Sequence, residues 1–148
     1  MGLDMQLLRK IDIYQSISTI KIEIKQYEEY VHINKNRIIN IEEEIYSWRK
    51  ANHIHKFFVD NVQEGVDNCD KYYVEQSVLL DLRDRCKLIL KDNSVAKNIL
   101  PTCEGFFFGN TEYDDFYFYN IEETKKMLDE LIKESWFEDS EFYYCSSW

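Results

Sequence analysis

Three histidines are the first residues that could hold a metal ion or transfer a proton. His53 and His55 are two positions apart, which places them about 200° apart around a helix, so they cannot share a ligand site as histidines four positions apart do. His55 falls in an apolar stripe and is predicted to be a hydrogen-bonded core residue, whereas His53 is predicted to be solvated. His32 lies in a segment of ambiguous pattern and indicates nothing. We therefore expect no tetrahedral zinc site and no cofactor.

The four cysteines, Cys69, Cys86, Cys103 and Cys145, are well separated and form no C-x-x-C pair. Free thiols in a reducing cytoplasm are the expected state, because residues 1–10 lack the uninterrupted apolar core of a signal peptide. Cys86 lies on an apolar helix face, where cysteine usually behaves as a small hydrophobic residue. Cys103 lies next to Glu104, and a neighbouring carboxylate raises the pKa of a thiol, which argues against an activated nucleophile.

Carboxylates are dense between residues 112 and 123, where Glu112, Asp114, Asp115, Glu122 and Glu123 occur. Paired acids can carry out general acid–base chemistry or hold a divalent ion. The cluster lacks the D-x-D-x-D-G pattern of a calcium loop, and in an acidic chain such clusters also arise as solvated helix faces. A metal-dependent enzyme using Glu112, Asp114 and Asp115 is therefore the least favoured of three hypotheses, and no catalytic residue is predicted.

The segment G-N-T-E-Y-D-D-F-Y-F-Y, residues 109–119, interleaves acids and aromatic rings more densely than one helix face can bury. Exposed tyrosine among carboxylates is typical of a binding surface, because the ring gives a large rigid contact area and the charge attracts Arg and Lys. The alternative is that the tyrosines pack on neighbouring elements. The predicted partner-binding residues are Glu112, Tyr113, Asp114, Asp115, Tyr117, Tyr119, Glu122 and Glu123.

Charge is distributed unevenly along the chain. The 148 residues contain 18 Lys and Arg against 28 Asp and Glu, which gives a formal net charge of −10. Residues 104–148 alone contain 3 Lys and Arg against 12 Asp and Glu. Phosphates and anionic membranes repel such a chain, so direct binding to nucleic acid or to a membrane is not expected. A basic protein surface is the expected electrostatic partner.

The apolar pattern predicts the elements that must position these residues. Strands are predicted for residues 1–10 and 141–146, and helices for about 46–63, 75–91 and 115–134. The G-F-F-F-G segment at 105–109 is predicted to be a short buried strand, and residues 93–102 a loop. This order predicts an α+β fold: residues 1–148 form a single compact domain, with a small, mostly antiparallel sheet covered by about three helices.

Each predicted helix has one apolar face and a charged outer side. The three apolar faces consist of Trp48, Ala51, His55, Phe58, Val59 and Val62; of Leu79, Leu82, Cys86 and Ile89; and of Ile121, Thr124, Leu128, Leu131 and Ile132. On the outer sides, the pairs Asp81–Arg85, Glu122–Lys126 and Asp129–Lys133 have the four-residue spacing of helical ion pairs.

Residues 17–48 fit two patterns. Ile20, Ile22 and Ile24 alternate as in a strand, and their branched side chains favour that interpretation. Apolar residues at Ile17, Ile20, Ile24, Tyr27 and Val31 also keep helical spacing. The run Asn34-Lys35-Asn36 suits a turn in either case. A hairpin of strands is favoured, and a helical hairpin stays open for residues 11–45.

Four blocks of the sequence resemble a family of small uncharacterised phage and prophage proteins. The blocks are M-G-L-D-M at the start, Y-S-W-R-K-A-N-H-I-H-K-F-F-V-D-N-V-Q-E-G-V-D-N-C at 46–69, E-G-F-F-F-G-N-T-E-Y-D-D-F-Y-F at 104–118 and Y-Y-C-S-S-W at the end. Together they comprise 50 of the 148 residues, about a third of the chain. The resemblance implies a phage accessory protein and supplies no catalytic residues.

Charge, aromatic content and resemblance together suggest a non-enzymatic, phage-encoded inhibitor of a bacterial defence system, of the anti-CRISPR kind, in the cytoplasm of the host cell. Its acidic C-terminal third would replace phosphates in the basic channel of a nucleic-acid-binding protein. A second hypothesis is a small-molecule or nucleotide-binding sponge with Trp48, Arg49, Lys50 and Tyr113 around a pocket. Salt separates the two hypotheses, because phosphate mimicry weakens steeply with ionic strength and stacking in a pocket does so less.

Overall fold

Four antiparallel strands form the sheet on which the rest of the chain packs. The protein is described by a computed structural model that covers residues 2–13, 25–26, 29–30 and 34–148. The strands of the sheet are β1 (Asp4–Asp12), β4 (Asn40–Arg49), β5 (Tyr72–Val74) and β6 (Glu141–Ser147), in the spatial order β4-β1-β6-β5. A separate two-stranded ladder joins β2 (Lys25–Gln26) to β3 (Glu29–Tyr30).

Four helices complete the α+β fold that the sequence predicts. They are α1 (Asn52–Asn61), α2 (Gln76–Lys91), the short α3 (Ala96–Ile99) and α4 (Asp115–Leu131), with 3-10 turns at Lys35–Arg37 and Asn93–Val95. Apolar residues of α1, α2 and α4 share one core cluster with residues of all four sheet strands. Among the described residues, no helix is long and apolar enough to cross a bilayer.

The sheet turns one face towards the helices. In β6, Phe142, Tyr144 and Ser146 are buried while Tyr143 and Cys145 between them are partly exposed, which is the two-residue period of a strand with one covered face. In β1, the pairing with β4 shifts between Leu7 and Leu8, and both side chains are buried there. Such a shift is the mark of a β-bulge, which interrupts the alternation.

The helix predicted for residues 46–63 begins later than the pattern indicates. Residues up to Arg49 belong to β4, with Trp48 opposite Met5 of β1, and α1 begins only at Asn52. Lys50, between the two elements, has φ +56°, a left-handed conformation that ends the strand. Pairing with β1 therefore overrides the local helical spacing. Trp48 is buried as predicted, but from a strand.

The helix-face predictions hold well for α2 and α4. Leu79, Leu82, Cys86 and Ile89 are the buried residues of α2, and Asp81 and Arg85 form the expected ion pair at 2.9 Å. In α4, the predicted inner residues Ile121, Thr124, Leu128 and Leu131 are buried, and Ile132 is half-buried just beyond the helix. Asp129 pairs with Lys125 at 2.6 Å instead of with Lys133.

Two segments differ from their predicted structure. Residues 93–102, predicted as a loop, contain the 3-10 turn and α3. The G-F-F-F-G segment is a turn and not a buried strand, because only one of its three rings finds space in the core: Phe108 is buried, whereas Phe106 and Phe107 are exposed.

The ambiguous segment is described only in part. Residues 40–45 belong to strand β4, as the favoured interpretation expects, but this strand pairs with β1. The predicted turn at 34–36 coincides with the start of a 3-10 turn, in which the Asn34 side-chain oxygen accepts a hydrogen bond from the Asn36 backbone N–H at 3.0 Å. Residues 14–24, 27–28 and 31–33, which include Ile20, Ile22, Ile24 and His32, lie outside the described residues.

Candidate functional site

His53 is buried, contrary to the prediction that it is solvated. It lies in the first turn of α1 with only 3% of its surface exposed, and its ring centre is 4.1 Å from that of Tyr117. Burial lowers its pKa to about 3, although the Asp114 carboxylate acts in the opposite direction. Its Nε2 has no hydrogen-bond partner among the described residues. The adjacent cavity has a volume of about 10 Å³, about that of one water molecule.

His55 is a hydrogen-bonded core residue, as predicted. Its Nδ1 lies 2.7 Å from the Tyr144 hydroxyl, and its Nε2 lies 3.1 Å from Oδ1 of Asp67. A carboxylate can only accept, so Nε2 carries the proton and Nδ1 accepts from Tyr144. Burial lowers the pKa of His55 and raises that of Tyr144 well above its usual range. Tyr144, at one end of this relay, is fully buried, whereas the side chain of Asp67 at the other end is 37% exposed.

The cysteines are free, as predicted, and the two with buried surroundings are not activated. Burial raises the pKa of Cys86 to about 12 and that of Cys103 to about 11. The Cys103 thiol donates a hydrogen bond to the backbone carbonyl of Asn52 at 3.3 Å. Both groups are therefore protonated at neutral pH, and a protonated thiol is a poor nucleophile.

Asp114 is the N-cap of α4. Its carboxylate accepts from the Tyr117 backbone N–H at 3.0 Å and from Nδ2 of Asn110 at 3.2 Å, and these hydrogen bonds lower its pKa. A capping carboxylate stabilises its helix by satisfying an amide that has no partner within the helix. Within the part of the chain that the structure describes, no group of three or more His, Cys, Asp or Glu side chains could hold a metal ion.

The start of α4 carries an exposed acidic and aromatic surface, which we call the acidic face. It consists of Glu112, Asp115, Phe116, Tyr119 and Glu122. Asp115, Tyr119 and Glu122 lie on one helical stripe, since residues three and four positions apart are neighbours. Phe116 is 47% exposed and Tyr119 58% exposed. Glu123 lies beside this stripe, half-buried, and together with burial it raises the pKa of Tyr46 on β4.

Of the predicted partner-binding tyrosines, Tyr117 is buried and Tyr113 is half-buried. Tyr117 is only 2% exposed, and its hydroxyl donates to the backbone carbonyl of Leu100 at 2.8 Å. Tyr113 is half-buried, with its ring centre 4.9 Å from that of Tyr117 and its hydroxyl accepting from the Thr102 backbone N–H at 3.3 Å. These rings pack on neighbouring elements, whereas Tyr119 is exposed. Phe116 is a surface ring that the predicted set lacks.

Most acids of the C-terminal third form no ion pair with the described part of the chain. Of the 12 Asp and Glu in residues 104–148, only Asp129 and Glu141 form an ion pair with any described residue. Lys126 lies one turn beyond Glu122, yet the predicted ion pair between them does not form within the described part of the chain. On the sheet, by contrast, Glu42 and Glu43 pair with Lys71 and Arg9. The negative charge of the acidic face is therefore not neutralised by the described residues.

A second exposed feature is a pair of adjacent phenylalanines, which we call the aromatic knob. Phe106 and Phe107 are 73% and 47% exposed, and their ring centres are 4.2 Å apart in an edge-to-face arrangement. Phe108 points the other way into the core, and its carbonyl accepts from Nδ2 of Asn52 at 3.2 Å. A Cβ on Gly105 would lie 2.2 Å from the Phe108 ring, so this turn requires glycine there.

The backbone of the knob is held in an unusual conformation. Phe107 has φ +63° and Gly109 has φ +90°. The left-handed conformation costs a residue other than glycine about 1–2 kcal/mol. Hydrogen bonds fix the turn: the Phe108 N–H donates to the carbonyl of Gly105 at 3.2 Å, and the Leu3 N–H donates to that of Phe107 at 3.4 Å.

The four residues proposed for a nucleotide pocket do not meet in either of the two cavities that they line among the described residues. Trp48 is buried, and its indole N–H donates to Oγ1 of Thr124 at 2.8 Å, so its ring offers no face for stacking. Trp48 and Arg49 line a cavity of about 490 Å³ beside the sheet. Lys50 lines the separate small cavity at His53. Tyr113 lines neither of these two cavities.

No protein-family model, no curated protein and no solved structure matches this chain. What the protein does is therefore inferred from the geometry and charge of its own residues, together with the sequence blocks quoted above.

Proposed function

We propose that the protein is a non-enzymatic binding protein whose acidic face docks on a basic surface of a nucleic-acid-binding protein. The observation that carries this proposal is the combination of unpaired carboxylates and exposed rings at one place, with Asp115 and Glu122 on either side of Tyr119 on the surface of α4. Such a surface attracts Arg and Lys, and its rings supply apolar contact area.

We propose no enzymatic activity because the groups that could do chemistry are buried, protonated or already engaged in hydrogen bonds. The His55 relay ends on a fully buried tyrosine, and Cys86 and Cys103 are protonated at neutral pH. Asp114, the acid at the centre of the carboxylate cluster, is occupied as a helix cap. None of these groups combines access to a substrate with a pKa suited to catalysis near neutral pH.

The finer proposal is a phage-encoded inhibitor of a bacterial defence system, of the anti-CRISPR kind, that acts in the host cytoplasm. It is supported by the resemblance of four sequence blocks to small phage and prophage proteins. In this proposal, carboxylates take the place of phosphates. One exposed ion pair contributes only about 0.2–1 kcal/mol, so inhibition requires several pairs together and electrostatic steering of the encounter.

Charge reversal on the acidic face tests the proposal. The variant combines Glu112→Lys, Asp115→Lys and Glu122→Lys. A matched control combines Glu130→Lys, Glu134→Lys and Glu138→Lys, which are also exposed, unpaired acids of the C-terminal third among the described residues. Both variants change the net charge equally. Each is used to capture partners from a bacterial lysate, and the captured protein is then purified for nucleic-acid-binding assays with added wild type or variant.

We expect wild type and control to displace nucleic acid from the captured protein, with an effect that weakens steeply as salt rises. The acidic-face variant should lose at least about tenfold in inhibition while its thermal unfolding stays cooperative. Equal loss in both triple variants would mean that net charge acts rather than this face. An acidic-face variant that inhibits as well as wild type at low and high salt would refute the proposal.

A further inference from the structure

We infer that the aromatic knob is an apolar anchor that inserts into a hydrophobic pocket on the partner, beside the basic groups that meet the acidic face. The inference deepens the proposed function and rests on it, because the same partner supplies both the cationic surface and the apolar pocket. It concerns Phe106 and Phe107, which the sequence pattern predicts to be buried.

The knob does not belong to the core of the fold. Of three consecutive phenylalanines, Phe108 takes the core position and the other two contact each other outside it. Single exposed rings are ordinary on protein surfaces, but two rings packed together at a turn form a continuous apolar protrusion.

The backbone of the knob turn is held by contacts within the chain. Gly105 has no room for a side chain, Phe107 has a left-handed conformation, and its carbonyl accepts from Leu3. A backbone that keeps one conformation loses little conformational entropy on binding, which favours affinity. Aromatic side chains, including Phe, are also enriched at protein interfaces.

Lys50 lies beside both the knob turn and part of the acidic face. A Cβ built on Gly109, at the end of the knob turn, would lie 3.4 Å from Cβ of Lys50. Lys50 also lines the small cavity whose wall includes Glu112 and Phe116. The two surfaces are therefore neighbours around Lys50, as contact with a single partner requires.

Charge decides which kind of surface fits the knob. Anionic lipid headgroups would be repelled by the net charge of −10. A second copy of the chain would bring the same unpaired acids, including Glu104 directly before the knob turn, into contact with themselves. A pocket with Arg or Lys at its rim would attract the acidic side chains beside the knob instead of repelling them. The occupant is therefore a partner protein with an apolar pocket in a basic surface.

Two defined polymers serve as probes: poly-L-lysine, which offers charge alone, and a random copolymer of lysine and phenylalanine, which offers charge with apolar contacts. Wild type should bind the copolymer about tenfold more tightly than poly-L-lysine. The variant Phe106→Ser with Phe107→Ser should lose this preference and keep the affinity of wild type for poly-L-lysine and its salt dependence. A control with Leu88→Ser and Leu90→Ser, exposed residues of α2, should behave as wild type.

The acidic-face triple variant separates failure of this inference from failure of the proposed function. If the knob variant keeps the preference while the triple variant loses affinity for both polymers, the knob inference is wrong and the proposed function stands. If the triple variant binds both polymers as wild type does, the proposed function fails and the inference fails with it. A dimer by light scattering that the knob variant converts to monomer, or co-sedimentation of wild type with phosphatidylglycerol vesicles, would also overturn the inference.

Discussion

Burial has the same chemical effect on several reactive side chains of this protein. It keeps the imidazoles of His53 and His55 neutral and the thiols of Cys86 and Cys103 protonated near neutral pH. In each case desolvation of the charged form is the largest cause of the pKa shift, and the nearby carboxylates beside the histidines only oppose it. The burial of the two histidines ties the stability of the fold to pH.

We expect the free energy of unfolding to fall as the pH is lowered from about 6.5 towards 3. The pKa of His53 is about 3 in the folded protein and about 6.5 when unfolded, so the unfolded state binds more protons throughout this window. His53 alone should lower stability by about 2 kcal/mol between pH 7 and pH 5. Urea unfolding at the two pH values measures the change.

His53→Gln supplies the control, since glutamine is polar and does not titrate. This variant should lose less stability than wild type between pH 7 and pH 5. The range from pH 7 to pH 5 lies above 3.8, the ordinary pKa of Asp. The carboxyl groups whose pKa values are lowered therefore contribute little to the change in stability over this range. Independent of any variant, NMR should show the His53 ring still neutral at pH 5. A ring that titrates near 6.5 would contradict the expected burial.

Among the secondary-structure elements, α1 packs between the sheet and the loop that precedes α4. Its residues are buried around most of the circumference, including Ile54 and Phe57 as well as Phe58. The Phe58 ring stacks on that of Tyr144 in β6, with the ring centres 4.1 Å apart and the planes 12° from parallel. This contact fastens α1 to the sheet.

Phe58→Ala should therefore destabilise the protein by about 3–5 kcal/mol, through lost burial of the ring and the cavity left behind. Chemical denaturation of wild type and variant at neutral pH measures the difference. Phe116→Ala in α4 is the matched comparison, because that ring is half exposed and should cost far less. If Phe58→Ala costs no more than Phe116→Ala, the packing described for α1 is wrong.

At the scale of the whole molecule, the main feature is the separation of charge. Residues 104–148 carry most of the excess of acids, and their acidic side chains form only two ion-paired sites, Asp129 and Glu141, with described residues. The field around this third therefore repels phosphates and attracts cationic protein surfaces. The proposed inhibition depends on this negative charge.

Wild type should accordingly fail to bind duplex or single-stranded DNA itself, even at low salt, where nonspecific contacts are strongest. Fluorescence anisotropy of labelled oligonucleotides at micromolar protein concentration tests this, with a basic DNA-binding protein as positive control. Binding that weakens as salt rises would show that the chain presents a cationic surface to phosphates, and that its charge is arranged differently from our description.

Features that depend on one element and its own period can be read from the sequence. The buried face of α2, the central strands β1 and β6, and the α+β class follow from apolar spacing, because a helix or strand that folds must cover its apolar side. The cap at Asp114 could also have been recognised, since an aspartate just before a helical run is a common N-cap. Of the predicted binding residues, Asp115, Tyr119 and Glu122 are exposed for the same reason: they lie opposite the apolar stripe of α4.

Which neighbours each residue meets depends on how the elements pack together. Trp48 ends a strand because β1 pairs with it, a contact between residues far apart in sequence that local spacing does not report. His53 and Tyr117 are buried against each other because α1 and α4 begin side by side. Phe106 and Phe107 are exposed because the core has room for Phe108 alone. Periodicity specifies which side of an element is apolar, but the space that the other elements leave decides which rings are covered.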